Sequence, residues 1–105
     1  MKVVVTKVKL KPGSADACAK LFRETNPALV RDEPDWLGAR MAVDRDNDVV
    51  TVMATWRDGT SYEALAKSER FKTTMAGFAQ LFASPTEITI NDVLVDMTPE
   101  SISAG

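Results

Sequence analysis

The chain predicts an α+β fold of the ferredoxin-like type, a four-stranded antiparallel sheet with helices on one face. Three observations carry that prediction. Four runs are rich in β-branched residues and bounded by Gly, Pro, Asp or Asn; two longer stretches repeat apolar residues at helical spacing; and along the 105 residues their order is β-α-β-β-α-β. A chain of this length buries roughly two thirds of its unfolded surface, enough for one core.

Residues 2–10, KVVVTKVKL, read as the first strand, and the KPG after them as its turn. Val4, Thr6, Val8 and Leu10 share one face, while Val3 and Val5 begin the other, which ends in Lys7 and Lys9. Pro12, Gly13 and Ser14 open a helix whose stripe is Ala15, Cys18, Leu21, Phe22, Thr25 and Leu29. Pro27 is expected to end or kink that helix near Asn26. A polar loop, VRDEPD, leads into the second strand, WLGARMAV, anchored by Trp36, and DRDND makes a hairpin turn. The third strand, VVTVMATW, sets Val50, Val52, Ala54 and Trp56 on one face and Val49, Thr51, Met53 and Thr55 on the other.

Thr60 followed by Glu63 has the spacing of a capping box at the start of SYEALAK. Ser68 then caps a second helical piece with the stripe Phe71, Met75, Phe78, Leu81 and Phe82. Pro85 is expected to stop it, and TEITINDVLVDM to form a fourth strand with apolar residues on both faces. These elements make one domain over residues 1–97, with 98–105 as a flexible tail.

Composition excludes several functions. There is no histidine and one cysteine, so neither an internal disulfide nor a zinc site of the usual Cys/His kind can form, and the usual neutral-pH base is missing. Cys18, on the helical stripe, reads as a small buried hydrophobe. Thirteen basic and fifteen acidic residues are interspersed, giving a net charge of -2 and no electrostatic footprint for nucleic acid or an anionic membrane. No apolar run reaches the ~20 residues of a membrane span, and the charged opening MKVVVTKVKL is no signal peptide, so a cytoplasmic protein is expected.

The strands carry a further expectation. Two helices cover one face of the sheet, yet the third and fourth strands are apolar on both. The second face would expose Val49, Met53 and either Ile88 and Ile90 or Val93 and Val95, a patch that a second copy covers most simply. The expected assembly is a homodimer packed sheet to sheet.

The stretches TKVKLKPG, VVTVMATWRD and SYEALAKSERFKTTMAGF, with the closing valine-rich strand, resemble the antibiotic biosynthesis monooxygenase superfamily of dimeric α+β barrels over residues 2–96. That resemblance implies the same fold and dimer but not one chemistry, because the fold hosts oxygenases, isomerases and haem degraders. Haem-degrading members place an axial histidine where this chain has Met75, a tryptophan where it has Leu65, and an asparagine near Thr6 or Lys7. All three differ, which removes histidine-ligated haem cleavage and leaves Met75 and Leu65 as apolar lining.

Cofactor-independent, quinone-forming members are similar in carrying a tryptophan at the end of the third strand and a tyrosine six residues later. Trp56 and Tyr62 stand at that spacing, although the asparagine four residues before the tryptophan is Val52 here. This similarity implies an oxygenase that uses no metal or flavin and acts on an aromatic or polyketide-like small molecule in a cleft between helices and sheet. Trp56, Tyr62 and Arg40 are its candidate catalytic residues, Arg40 on condition that it faces the helices. Phe22, Asn26, Leu65, Phe71, Met75 and Phe78 are the candidate walls of the substrate pocket. Two alternatives stand beside it: a non-catalytic dimer that binds a small molecule, and a haem-binding protein with unusual ligation.

Overall fold

A computed structural model describes residues 1–103. Strand β1 spans Lys2–Lys9, helix α1 Ala15–Val30, β2 Trp36–Asp44, β3 Val49–Trp56, α2 Gly59–Ala66, α3 Glu69–Phe78 with a 3-10 turn at Ala79–Leu81, and β4 Glu87–Asp92. A last short helix, α4, spans Pro99–Ser103. It lies in the stretch expected as a tail, whose residues 104–105 are outside the described range. The strands form one antiparallel sheet in the order β2-β3-β1-β4, so the ferredoxin-like α+β expectation holds.

Register assigns the faces. Val4 pairs with Ala54 and Ile90, Thr6 with Val52 and Ile88, and Val8 with Val50, so these side chains share the face on which the helices lie. Two buried clusters form there. One gathers Val4, Leu29, Val30, Trp56, Tyr62 and Leu65; the other gathers Val8, Leu10, Cys18, Val50 and Phe78.

Local chemistry corrects four expectations. Pro27 does not end α1, which continues to Val30. Proline removes the N–H that would bond the Arg23 carbonyl, but Arg23 and Pro27 lie on the exposed side of α1, where water can satisfy that carbonyl. The cap of α2 is Asp58 rather than Thr60: its Oδ1 accepts from the Thr60 backbone N–H at 3.0 Å and from the Thr60 hydroxyl at 2.9 Å. Helix α3 ends at Phe78, well before Pro85, whereas its cap is Ser68 as expected, with Oγ accepting from the Phe71 N–H. Finally, β4 stops at Asp92 instead of running to Met97. Val93 N–H still donates to the Met1 carbonyl, but there β1 runs out, and no neighbouring strand remains to pair with. Leu94, Val95 and Met97 are consequently exposed.

The hairpin between β2 and β3 turns through residues 45–48, with Asp48 at φ 54°, a left-handed conformation that Asp tolerates better than most residues. The expected apolar second face is smaller than the sequence suggested. Ile88 and Ile90 point to the helix side, where the helices cover the β4 edge only in part, and each remains 44% exposed. The open face carries Val3, Val5, Val49 and Met53 among Thr51, Thr55, Thr89 and Arg40.

Candidate functional site

Between the two clusters lies a cavity of about 120 Å³, walled by α1, α2 and α3 on one side and the helix-facing residues of the sheet on the other. Trp56 and Tyr62 border it, as do Phe22, Asn26, Leu65, Phe71, Met75 and Phe78. The geometry therefore brings together eight of the nine residues singled out from the sequence. Arg40 is the exception. It stands in register with Met53 on the open face of the sheet, beside a shallow depression formed with Val3, Gly38 and Thr55, and its condition of facing the helices is not met.

Trp56 reaches this wall because β3 ends there and Arg57 turns the chain away: the Arg57 N–H donates to the Asp35 carbonyl at 2.7 Å. Asp35 also accepts from the Ser61 hydroxyl at 2.5 Å, which ties the loop before β2 to the start of α2. The tie fixes Trp56, Tyr62 and the adjoining Trp36 around one end of the cavity. Trp56 and Tyr62 meet edge to face at 5.9 Å between ring centroids, and Tyr62 and Phe71 do so at 6.5 Å.

Trp56 is 1% exposed, and its indole Nε1 is a buried donor without a hydrogen-bond partner among the described residues. Such an atom forfeits on the order of 1–3 kcal/mol relative to water, so its presence at a cavity wall calls for an acceptor. Tyr62 has ring contacts but no hydrogen bond among the described residues, and burial pushes its phenol pKa up, which keeps it a protonated donor. Asn26 and Thr6 also line the cavity with no side-chain hydrogen bond among the described residues. Thr25 and Thr74 donate to their own helix, to the Leu21 and Arg70 carbonyls, and retain lone pairs toward the cavity.

Among the described residues the lining holds no Asp, Glu, Lys or Arg. Its titratable groups are Tyr62 and Cys18, and burial raises the pKa of both, so neither is charged near neutral pH. Among the described residues no group of three or more His, Cys, Asp or Glu side chains could hold a metal ion. Haem does not fit either. Met75 and Met41 border the cavity as thioethers in a mostly apolar lining with no histidine, and the space is far too small for a macrocycle.

Thr74, Trp36 and Ile88 also border the cavity but were not among the sequence candidates. Thr74 sits three residues after Phe71 on the same helix face, and that spacing was the signal for it.

The family model described as antibiotic biosynthesis monooxygenase matches residues 1–77, from β1 through most of α3. The chain belongs to the antibiotic biosynthesis monooxygenase family. Solved structures agree on the fold of this family member. It is similar to an antibiotic biosynthesis monooxygenase with a TM-score of 0.72 at 20% identity, covering 90% of this chain and 100% of the other. A variant of SnoaB, a cofactor-independent oxygenase from Streptomyces nogalater, superposes with a TM-score of 0.75 at 14% identity over 91% of this chain and 95% of that one. A conserved protein from Methanosarcina mazei gives 0.73 at 20% identity, covering 86% and 89%. No curated protein matches the chain in sequence. At these identities the likeness establishes the fold. No helix among the described residues of this family member is long and apolar enough to cross a membrane.

Proposed function

We propose that the chain is a small-molecule monooxygenase of the quinone-forming type, acting without metal or flavin on an aromatic or polyketide-like substrate held in the cavity. The observation that carries this reading is the buried, unpartnered Trp56 N–H at the wall of an apolar cavity, beside Tyr62. A substrate bound in its neutral form, with a ring CH₂ or CH activated by a neighbouring phenol or ketone, gives a proton transiently to solvent water, and the resulting carbanion passes one electron to dioxygen. The radical pair then joins, and loss of water leaves a carbonyl. One oxygen atom ends in the product and one in water, and all four electrons come from the substrate.

The protein's part is environmental. Trp56 N–H and Tyr62 O–H donate to the substrate oxygen as negative charge gathers on it, while Phe71, Met75 and Phe78 keep water from the radical pair. The test is dioxygen uptake with appearance of quinone absorbance across hydroxylated aromatics of one ring and of several. Uptake should fall at least tenfold in Trp56→Phe and in Tyr62→Phe.

A second reading, a non-catalytic dimer that binds a small molecule, is favoured by the absence of any charged side chain in the lining, since no base is present there to take the substrate proton. Saturable ligand binding with no uptake for any substrate would decide for it. In either case we infer that a second copy covers the open sheet face, where Val3, Val5, Val49 and Met53 lie, and buries the exposed Leu94, Val95 and Met97. Sedimentation at micromolar concentration should give twice the chain mass; a monomer would refute the dimer.

A further inference from the structure

We infer that the ligand of this cavity is an electrically neutral molecule with a single ring, bearing a hydrogen-bond acceptor. The inference rests on reading the cavity as a ligand site, whether or not chemistry takes place there.

Size is the first argument. An engineered apolar cavity of roughly 150 Å³ holds one benzene, and drug-sized ligands occupy about 300–1,000 Å³. The 120 Å³ here matches one ring and falls short of three fused rings. Enlargement toward the interior is resisted because that side of the wall is the two core clusters themselves: Trp56, Cys18 and Val50 are at most 2% exposed and held from several sides.

Charge is the second argument. An ion entering this space finds no opposite charge, because no Asp, Glu, Lys or Arg reaches the lining from any of the helices or strands that form it. Desolvating an unpaired ion is among the most expensive events in a protein, and a titratable ligand avoids it by staying neutral. What the cavity offers instead are dipoles: the orphaned Trp56 N–H, the Tyr62 hydroxyl and the Asn26 amide. Two of these are pure donors or held as donors, which selects a ligand with a carbonyl or phenol oxygen.

The experiment is equilibrium binding to the intact chain with three probes that differ in one property each: acetophenone, benzoate and anthrone. A fourth, 4-nitrophenol, reports its own protonation by colour. Acetophenone should bind at least tenfold more tightly than benzoate and than anthrone. Bound 4-nitrophenol should lose its yellow phenolate band at a pH where the free compound keeps it, because the cavity raises the pKa of the ligand.

Benzoate or anthrone binding as well as acetophenone, or a phenolate band that persists on binding, would overturn the inference while leaving the ligand site intact. If none of the four binds, the ligand-site reading itself fails and this inference with it.

Discussion

Replacing Trp56 by phenylalanine tests the orphaned indole directly. Trp56 is the largest fully buried side chain, and a residue of that kind ordinarily costs ~3–5 kcal/mol when cut to alanine. Phenylalanine retains one ring. It vacates on the order of 40 Å³, and at ~24 cal/mol per Å³ the enlarged cavity costs about 1 kcal/mol. The lost apolar contact surface adds roughly another 1 kcal/mol. Against these stands removal of a buried N–H with no partner, which returns about 1–3 kcal/mol. The terms nearly cancel, so the expected change is within about 1 kcal/mol of zero.

The assay is urea unfolding of wild type and variant at one protein concentration, followed by circular dichroism so that losing one of two tryptophans does not bias the signal. The midpoint should move by less than about 1 M, with m unchanged. A loss of ~3 kcal/mol or more would refute the reasoning, because it would mean that the N–H is satisfied and that Trp56 is an ordinary core plug.

Other outcomes rest on the same geometry. Arg40→Ala should leave ligand affinity and any dioxygen uptake within about twofold of wild type, because Arg40 faces away from the cavity; a tenfold loss would show that the open face takes part. Ser68→Ala removes the Oγ that accepts from the Phe71 N–H and should cost about 1 kcal/mol in thermal or urea unfolding, whereas Thr60→Ala, which leaves Asp58 and the Thr60 N–H in place, should cost less. Acid should destabilise the fold. The carboxyls of Asp44, Asp58 and Asp92 are held below the usual range, by the Asn47 side-chain amide, the Thr60 backbone N–H and the Lys2 ammonium respectively. A depressed folded pKa contributes stability that is present above the unfolded value and lost as pH falls through the folded one. The melting temperature should therefore be flat above about pH 5 and decline below about pH 4, with a shallower decline in Asp44→Asn.

Strand identity and facing were legible because the runs alternate: Val4, Val8, Val50 and Trp56 lie on the inner face as their spacing demands. The errors sit where local pattern yields to tertiary context. Pro27 looked like a helix stop, but on an exposed side of α1 a lost hydrogen bond is cheap beside the burial of Leu29 and Val30 just after it. Residues 93–97 look like strand, and a pleated conformation needs a partner that β1 cannot provide beyond Met1. Ile88 and Ile90 could not be assigned a face without the register against β1, since β4 is apolar or polar according to which residues pair with Val4 and Thr6.

The site was legible for the residues that share a helical stripe and for the pair at the β3 end, because both sets are local in sequence. Arg40 was conditional on a strand face, and the bulge between Trp36 and Gly38 shows why that face was hard to read. Gly38 adopts φ 150°, and one extra residue there swaps the facing of the strand beyond it, so Trp36 points to the core while Arg40, four residues on, points away. Without that bulge, two residues an even number apart on one strand would share a face, and Arg40 would pair with Val52, which lines the cavity. A cationic guanidinium there would have supplied the charge that an anionic ligand needs. The bulge thus does more than adjust a strand: it keeps the cavity neutral, and with it the class of molecule the cavity can hold.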